Sequence, residues 1–171
     1  MTLIEVLPAP PPEAPEVPHP QALWAQLTPG DDTASRTVNH VSNVEYVRWL
    51  DQLGQLHMNT LGWKAEDLLS SGAMWFVARH EIDYRLEARA GERLIAATWV
   101  RNLRRVKSWR DVIVWRPADD GWKLVCTATT LWVHVDLQSR RGTRPPEDMV
   151  AALQPLGAAA PPWAGGADRR A

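Results

Sequence analysis

Residues 42–62 read SNVEYVRWLDQLGQLHMNTLG, and the period of this stretch decides the fold. Tyr46, Trp49, Leu50, Leu53 and His57 recur at three- and four-residue spacing, while Arg48, Asp51, Gln52 and Gln55 fall mostly on the other side, which predicts one amphipathic helix from Asn43 to about Thr60. At 1.5 Å per residue this is a rod of roughly 26 Å. Ser42 and Glu45 have the spacing of a capping box, in which the serine hydroxyl accepts from the amide of position 45 and the glutamate reaches back to the amide of Ser42. Gly62 follows the last periodic position, where a helix stop is expected.

Outward from the helix the period changes. Met74 to Arg85, Arg93 to Leu103, Lys107 to Arg116 and Trp122 to Asp136 are rich in aromatic and β-branched residues and read as four long strands. Asp119-Asp120-Gly121 is a short hairpin signal, and the brief links elsewhere favour antiparallel neighbours, because a parallel crossover needs about a dozen residues or more. A weaker fifth strand lies within Ala22 to Val38. One long helix followed by four or five antiparallel strands is an α+β layout, in which a single curved sheet buries the helix by wrapping around it.

The ends differ in composition from this middle. Eight of the 14 prolines lie within residues 1–29, each removing a backbone donor and fixing φ, so residues 1–20 are expected to be a flexible Pro-rich tail with no helix or central strand. Residues 157–171, mostly Ala, Gly and Pro, bury too little to offset their ordering entropy and are expected to be a second flexible tail. The folded domain is thus expected over 21–156. Of the 171 residues 45% are hydrophobic, enough for one core, and the formal net charge of -1 gives no global argument for nucleic acid or an anionic membrane surface. One cysteine, Cys126, rules out an internal disulfide and suits a reducing compartment. No apolar run of about 18 residues occurs and the first Lys or Arg is Arg36, so neither a membrane span nor an export signal is expected, and the location expected is the cytoplasm.

The loop before the helix adds a resemblance. Asn39-His40-Val41-Ser42-Asn43-Val44-Glu45-Tyr46-Val47-Arg48-Trp49 resembles the Gly-His-Val-Asn-Asn-x-x-Tyr-x-Arg-Trp signature of hot-dog-fold acyl-CoA thioesterases of the 4-hydroxybenzoyl-CoA thioesterase type. Leu61-Gly62-Trp63, Arg79 to Arg85, Gly91 to Leu94, Lys107-Ser108-Trp109 and Ala128 to Val133 follow in that family's order and approximate spacing, so the likeness covers about Gln21 to Met149. It implies the hot-dog fold, a homodimer or dimer of dimers with active sites at the subunit interface, and hydrolysis of an acyl-CoA or acyl-carrier-protein thioester without metal or organic cofactor.

The implied chemistry has a physical logic. Amides at a helix start stabilise the negative charge that develops on a thioester carbonyl, which points to the backbone at Asn43. A second group must activate water or attack, and in the family this is a carboxylate four residues before the position of His40. That position is Arg36, a guanidinium unable to act as a base. Asn39 and Ser42 also replace the signature's glycine and first asparagine. Two substitutes are open: Asp31 or Asp32, after the Pro29-Gly30 turn, or His40 oriented by a carboxylate, with Glu87 corresponding to a glutamate of plant-type acyl-carrier-protein thioesterases. The candidate catalytic residues are therefore His40, Asn43, Asp32 and Asn39. Each also has a plainer reading: a loop hydrogen bond for His40, a helix cap for Asn43, solvated charges for the acids.

Arg101, Arg104, Arg105, Lys107 and Arg110 put five cations and no acid into ten residues at an expected hairpin. A solvated turn competes with a clamp on the phosphates of coenzyme A, for which Arg104, Arg105, Lys107 and Ser108 are the candidates. The ten tryptophans are spread along the chain and read as core or interface, with Trp49, Trp75 or Trp132 as candidate walls of an acyl tunnel. Cys126 reads as a buried apolar group rather than a nucleophile, and His57 and His80 as core histidines. The histidines lack metal-binding spacing. A non-catalytic dimeric module that holds an acyl thioester or other hydrophobic ligand is the alternative to the hydrolase, and a dehydratase on the same fold a distant third.

Overall fold

The computed structural model of the protein describes residues 1–35 and 37–164. Six strands form one sheet: β1 (Leu3–Leu7), β2 (Leu23–Thr28), β3 (Ala73–Tyr84), β4 (Leu94–Arg104), β5 (Lys107–Ala118) and β6 (Gly121–Asp136), in the spatial order β1-β2-β4-β5-β6-β3 with every neighbouring pair antiparallel. Helix α1 (Asn43–Thr60) connects β2 to the rest of the sheet; α2 (Ala65–Ser70) and α3 (Glu147–Leu153) are short. The four expected long strands are present with no end moved by more than two residues, and the weak fifth is β2.

The alternation of strand side chains separates two cores. On one face Leu23, Ala25, Leu27, Leu94, Ala96, Val112, Val114 and Ala128 receive Tyr46, Trp49, Leu50 and Leu53 of α1, so the apolar stripe of the helix meets the sheet as its period requires. On the opposite face Trp24, Ile95, Ala97, Trp99 and Trp115 form a second cluster, with the Trp24 and Trp115 rings stacked at 5.8 Å. Nine consecutive residues of β4 are buried because both of its faces are covered.

That second face corrects the expectation of a flexible tail over 1–20. Leu7, Ala14, Val17 and Ala22 pack against the Trp24–Trp115 cluster together with Leu156, and His19 is buried with its Nε2–H donating to the Gln154 carbonyl at 2.9 Å. The prolines begin only at Pro8, so Leu3–Leu7 keeps its donors and pairs along β2, at the sheet edge, where a broken ladder costs least. Of the expected tail over 157–171, residues 165–171 lie outside the described residues; Ala164 is fully buried.

The ends of α1 divide the cap expectations. Gly62 has φ 84°, its amide bonds Asn59 O at 3.1 Å and the Trp63 amide bonds Met58 O at 2.9 Å, the paired bonds of a glycine helix stop. The capping box is absent: Ser42 makes no side-chain cap bond, the Glu45 amide takes the Ser42 carbonyl instead, and the Glu45 carboxylate pairs with Arg48. The box fails because an arginine three residues along the same face offers Glu45 a charge, which is a stronger partner than one amide.

Candidate active site

The start of α1 is held in place by backbone bonds to two segments, the one after β3 and the one after β2. The Val41 amide donates to Ala88 O at 2.7 Å and the Ser42 amide to Thr33 O at 2.9 Å, while Ala34 and Val41 form an isolated bridge. Thr33 is itself fixed by its hydroxyl on Gly30 O at 2.7 Å. With Ser42 and Glu45 satisfied in this way, the amides of Asn43 and Val44 have no partner among the described residues, and both side chains are exposed. The positive end of an 18-residue helix is therefore left uncapped by any described residue.

His40 lies half-buried beside this tip, its carbonyl accepting from the Ser35 amide at 2.7 Å and its amide donating to Val38 O at 2.8 Å. Asn39 is exposed next to it. Glu87 is in the electrostatic neighbourhood of His40: its carboxyl is held below the usual range, first by the Arg89 hydrogen bond and charge, with His40 and Arg116 adding to the effect. It accepts a hydrogen bond from Arg89 Nη2 at 2.5 Å. Asp32 sits on a 3-10 turn (Asp31–Thr33), one residue from the carbonyl that holds Ser42, but its exposed carboxylate pairs with the terminal ammonium of Met1. Among the described residues no carboxylate is hydrogen-bonded to His40 or to the free amides at the tip. Arg36 lies outside the described residues.

The five hairpin cations separate. Arg104 and Arg105 are exposed at the β4–β5 turn, Arg105 with φ 55°, and Lys107 is half-buried. Ser108 is buried and lines a groove against α1. Arg101 and Arg110 turn inward on opposite faces: Arg101 Nε donates to Asp111 Oδ2 at 2.9 Å, and Arg110 Nη1 donates to His57 Nδ1 at 2.7 Å and to Thr98 Oγ1 at 3.3 Å. Neither inward arginine is part of a surface clamp. The turn lies far from the helix start of its own protomer, because Val106 packs against the segment after β6 while Tyr84, at the other end of β3, meets Tyr46 of the first helical turn at 5.0 Å.

The histidines His57, His80 and His134 and the one cysteine are buried or half-buried within the fold. His57 is pushed down to about 3 by burial, then by the Arg110 charge and His19, so its imidazole is neutral and accepts from Arg110. His134 is lowered by burial and donates from Nδ1 to the Thr143 carbonyl at 3.1 Å; His80, also lowered by burial, is bonded to the Thr130 hydroxyl at 2.9 Å. Burial pushes the Cys126 thiol up to about 12, which removes it as a nucleophile at neutral pH. Among the described residues no group of three or more His, Cys, Asp or Glu is placed to hold a metal ion. The arrangement can do one kind of chemistry with economy: polarise a carbonyl at the uncapped helix start with an imidazole alongside.

The feature that sequence reading missed is the Arg110–His57 pair on the inner face. Gly54, in the middle of α1 where glycine is unfavourable by about 1 kcal/mol, was the available signal that something large approaches the helix there.

A search of curated protein sequences finds no match. Among solved structures the fold is shared with Slr0204, a 1,4-dihydroxy-2-naphthoyl-CoA thioesterase from Synechocystis (TM-score 0.71, 14% identity, 81% of this chain and 99% of that one). It is shared also with SAV2348 from Staphylococcus aureus, solved in complex with CoA (TM-score 0.74, 13% identity, 85% of this chain and 92% of that one). A Lactobacillus plantarum protein assigned as an oleoyl thioesterase matches with TM-score 0.72 and 19% identity over 79% of this chain, which spans about half, 51%, of that protein. These neighbours are hot-dog proteins, and the helix lying across an antiparallel sheet is that fold. A family model for the thioesterase-like superfamily matches residues 28–153, most of the chain and all of α1 through β6, and the protein belongs to that superfamily.

Proposed function

We propose that the protein hydrolyses an acyl thioester, with acyl-CoA as its substrate class, at the start of α1. The observation that carries the reading is the helix tip: two amides, at Asn43 and Val44, three and four residues after His40, have no partner among the described residues. In this account the amides receive the carbonyl oxygen, His40 takes the proton of the attacking water, and Glu87 contributes field rather than a hydrogen bond. Asn39 shapes the loop that holds His40. Asp32 replaces His40 as base only if it leaves Met1. Thioesterase-like membership and the CoA-bound neighbour support the chemistry.

The working unit proposed is a homodimer in the cytoplasm. β3 is a sheet edge with Phe76, Val77 and Tyr84 exposed. Antiparallel pairing of two such edges would bring the Ala73 end of one protomer, with Arg104, Arg105 and Lys107 nearby, toward the helix start of the other. Those cations would then meet the phosphates of coenzyme A or the acidic surface of a carrier protein. No helix is long and apolar enough to cross a membrane among the described residues.

Thiol release from a panel of acyl-CoA esters tests the reading. His40→Ala should lower turnover about 100-fold with an unchanged melting temperature, the usual loss for a general base; unchanged turnover removes His40 from the mechanism. A second reading, a module that binds a thioester without cleaving it, is favoured by the missing carboxylate contact at His40. It predicts thermal stabilisation by acyl-CoA with no thiol released.

A further inference from the structure

Between the second half of α1 and the inner face of β3, β5 and β6 runs a groove of about 360 Å³. Met74, Trp75 and Trp132 form apolar walls, Arg110 lies in its lining, and Asp51, Glu66 and Lys64 add two carboxylates and one ammonium to that lining. Arg110 is only 4% exposed, and its guanidinium forms no ion pair among the described residues. Its two bonds, to His57 Nδ1 and Thr98 Oγ1, both leave from Nη1 and both go to neutral acceptors. Asp111, whose charge acts on Arg110, follows it in β5, so it points to the other face and is engaged by Arg101 there.

Two further features aim at the same place. The Nε1–H of Trp132 is buried without a partner. Gly54 lets both side chains come close to the helix: a Cβ there would stand 3.2 Å from Trp132 Cζ2 and 3.7 Å from Arg110 Nε. A buried cation without a counter-charge is costly, and a carboxylate placed against it recovers that cost in a low-dielectric setting.

We infer that this groove is a specificity pocket for an acyl group ending in a carboxylate, received by Arg110 and Trp132 Nε1, with the thioester end at the helix start of the partner subunit in the proposed dimer, so that the substrate is the monothioester of a dicarboxylic acid. The walls take the methylene stem and the floor takes the terminal charge. The substrate assignment rests on the thioesterase reading; the recognition of a carboxylate on an apolar stem does not.

Two arms keep the two readings apart. In the first, calorimetric titration compares octanoate with 1-octanol, which share a stem and differ in the end group. Octanoate should bind the wild type at least about tenfold more tightly, the measure of one charge-assisted contact, and Arg110→Met should abolish that preference. A merely structural arginine would instead lower the melting temperature of Arg110→Met and leave the octanoate preference intact, which overturns the inference. Should Arg110→Met fail to fold, Gly54→Ala, favoured by helix propensity, should weaken octanoate severalfold by crowding the floor; unchanged affinity overturns the inference equally. In the second arm, thiol release compares dicarboxylic monothioesters of CoA from six to ten carbons with monocarboxylic esters of the same length. The dicarboxylic series should lead in kcat/KM by about tenfold or more, and Arg110→Met should reverse the order. Octanoate preference without thiol release supports the pocket and sinks the hydrolase.

Discussion

His57 is folded as a neutral imidazole under a guanidinium, and this has a consequence for stability. Its value is about 3 in the folded chain against 6.5 for the free side chain, with burial the leading cause and Arg110 second. Below pH 6.5 the unfolded chain takes up a proton that the folded chain refuses, so the contribution of this group is complete above that pH and falls as pH drops toward 3. The slope is up to about 1.4 kcal/mol per pH unit. Urea unfolding of wild type and His57→Asn at pH 7 and pH 4.5 should show the advantage of the wild type shrinking in acid; a constant difference contradicts the neutral pair. The placement of His57 was legible, because it sits on the apolar side of a strong helical period. Its partner was not: Arg110 is 53 residues away, and in sequence it stands among the hairpin cations. Alternation alone splits Arg101 and Arg110 from Arg104 and Arg105 only once the bulge between Val100 and Asn102 is known.

Helix α1 ends where its period and Gly62 say it should, yet its cap could not be read from spacing, since Glu45 has a choice between the Ser42 amide and Arg48 that only geometry decides. Ser42→Ala should therefore change stability by less than about 0.5 kcal/mol, against about 1 kcal/mol for a working N-cap, as measured by chemical unfolding. β3 makes the other prediction of this scale. It has one neighbour, β6, and its bulge between Val77 and Arg79 leaves Phe76 and Val77 exposed. Under the proposed edge pairing, Val77→Lys should shift the protein toward monomer in sedimentation and lower turnover together with it, because a charge on an edge strand opposes pairing. Wild-type mass with Val77→Lys would mean that the edge is not the interface. Short elements such as β1, α2 and α3 escaped the sequence because five to seven residues carry too little period to register.

For the molecule as a whole, the unexpected part is the coat on the outer sheet face. Composition marks residues 1–20 as Pro-rich and hence unstructured, but prolines fix φ without preventing a chain from lying on a preformed apolar surface, and Trp24, Trp99 and Trp115 supply that surface. Removing residues 1–20 should uncover it and cost about 3 kcal/mol or more, a fall of roughly 6–12 °C in Tm for a chain of this size. A truncated protein that melts with the wild type would return the arm to the status of a tail. The proposed function belongs to the inner face, and there the claim that matters is that the first amides of α1 hold the thioester oxygen. Proline is tolerated at the first helical position, Ser42 already has the extended ψ of 142° that a following proline requires, and the only group lost in Asn43→Pro besides the side chain is the amide hydrogen. The decisive measurement is kcat for thiol release by Asn43→Pro beside Asn43→Ala. The account predicts a fall of about 100-fold or more for the proline alone, with unchanged Tm; equal turnover in the two variants would contradict it.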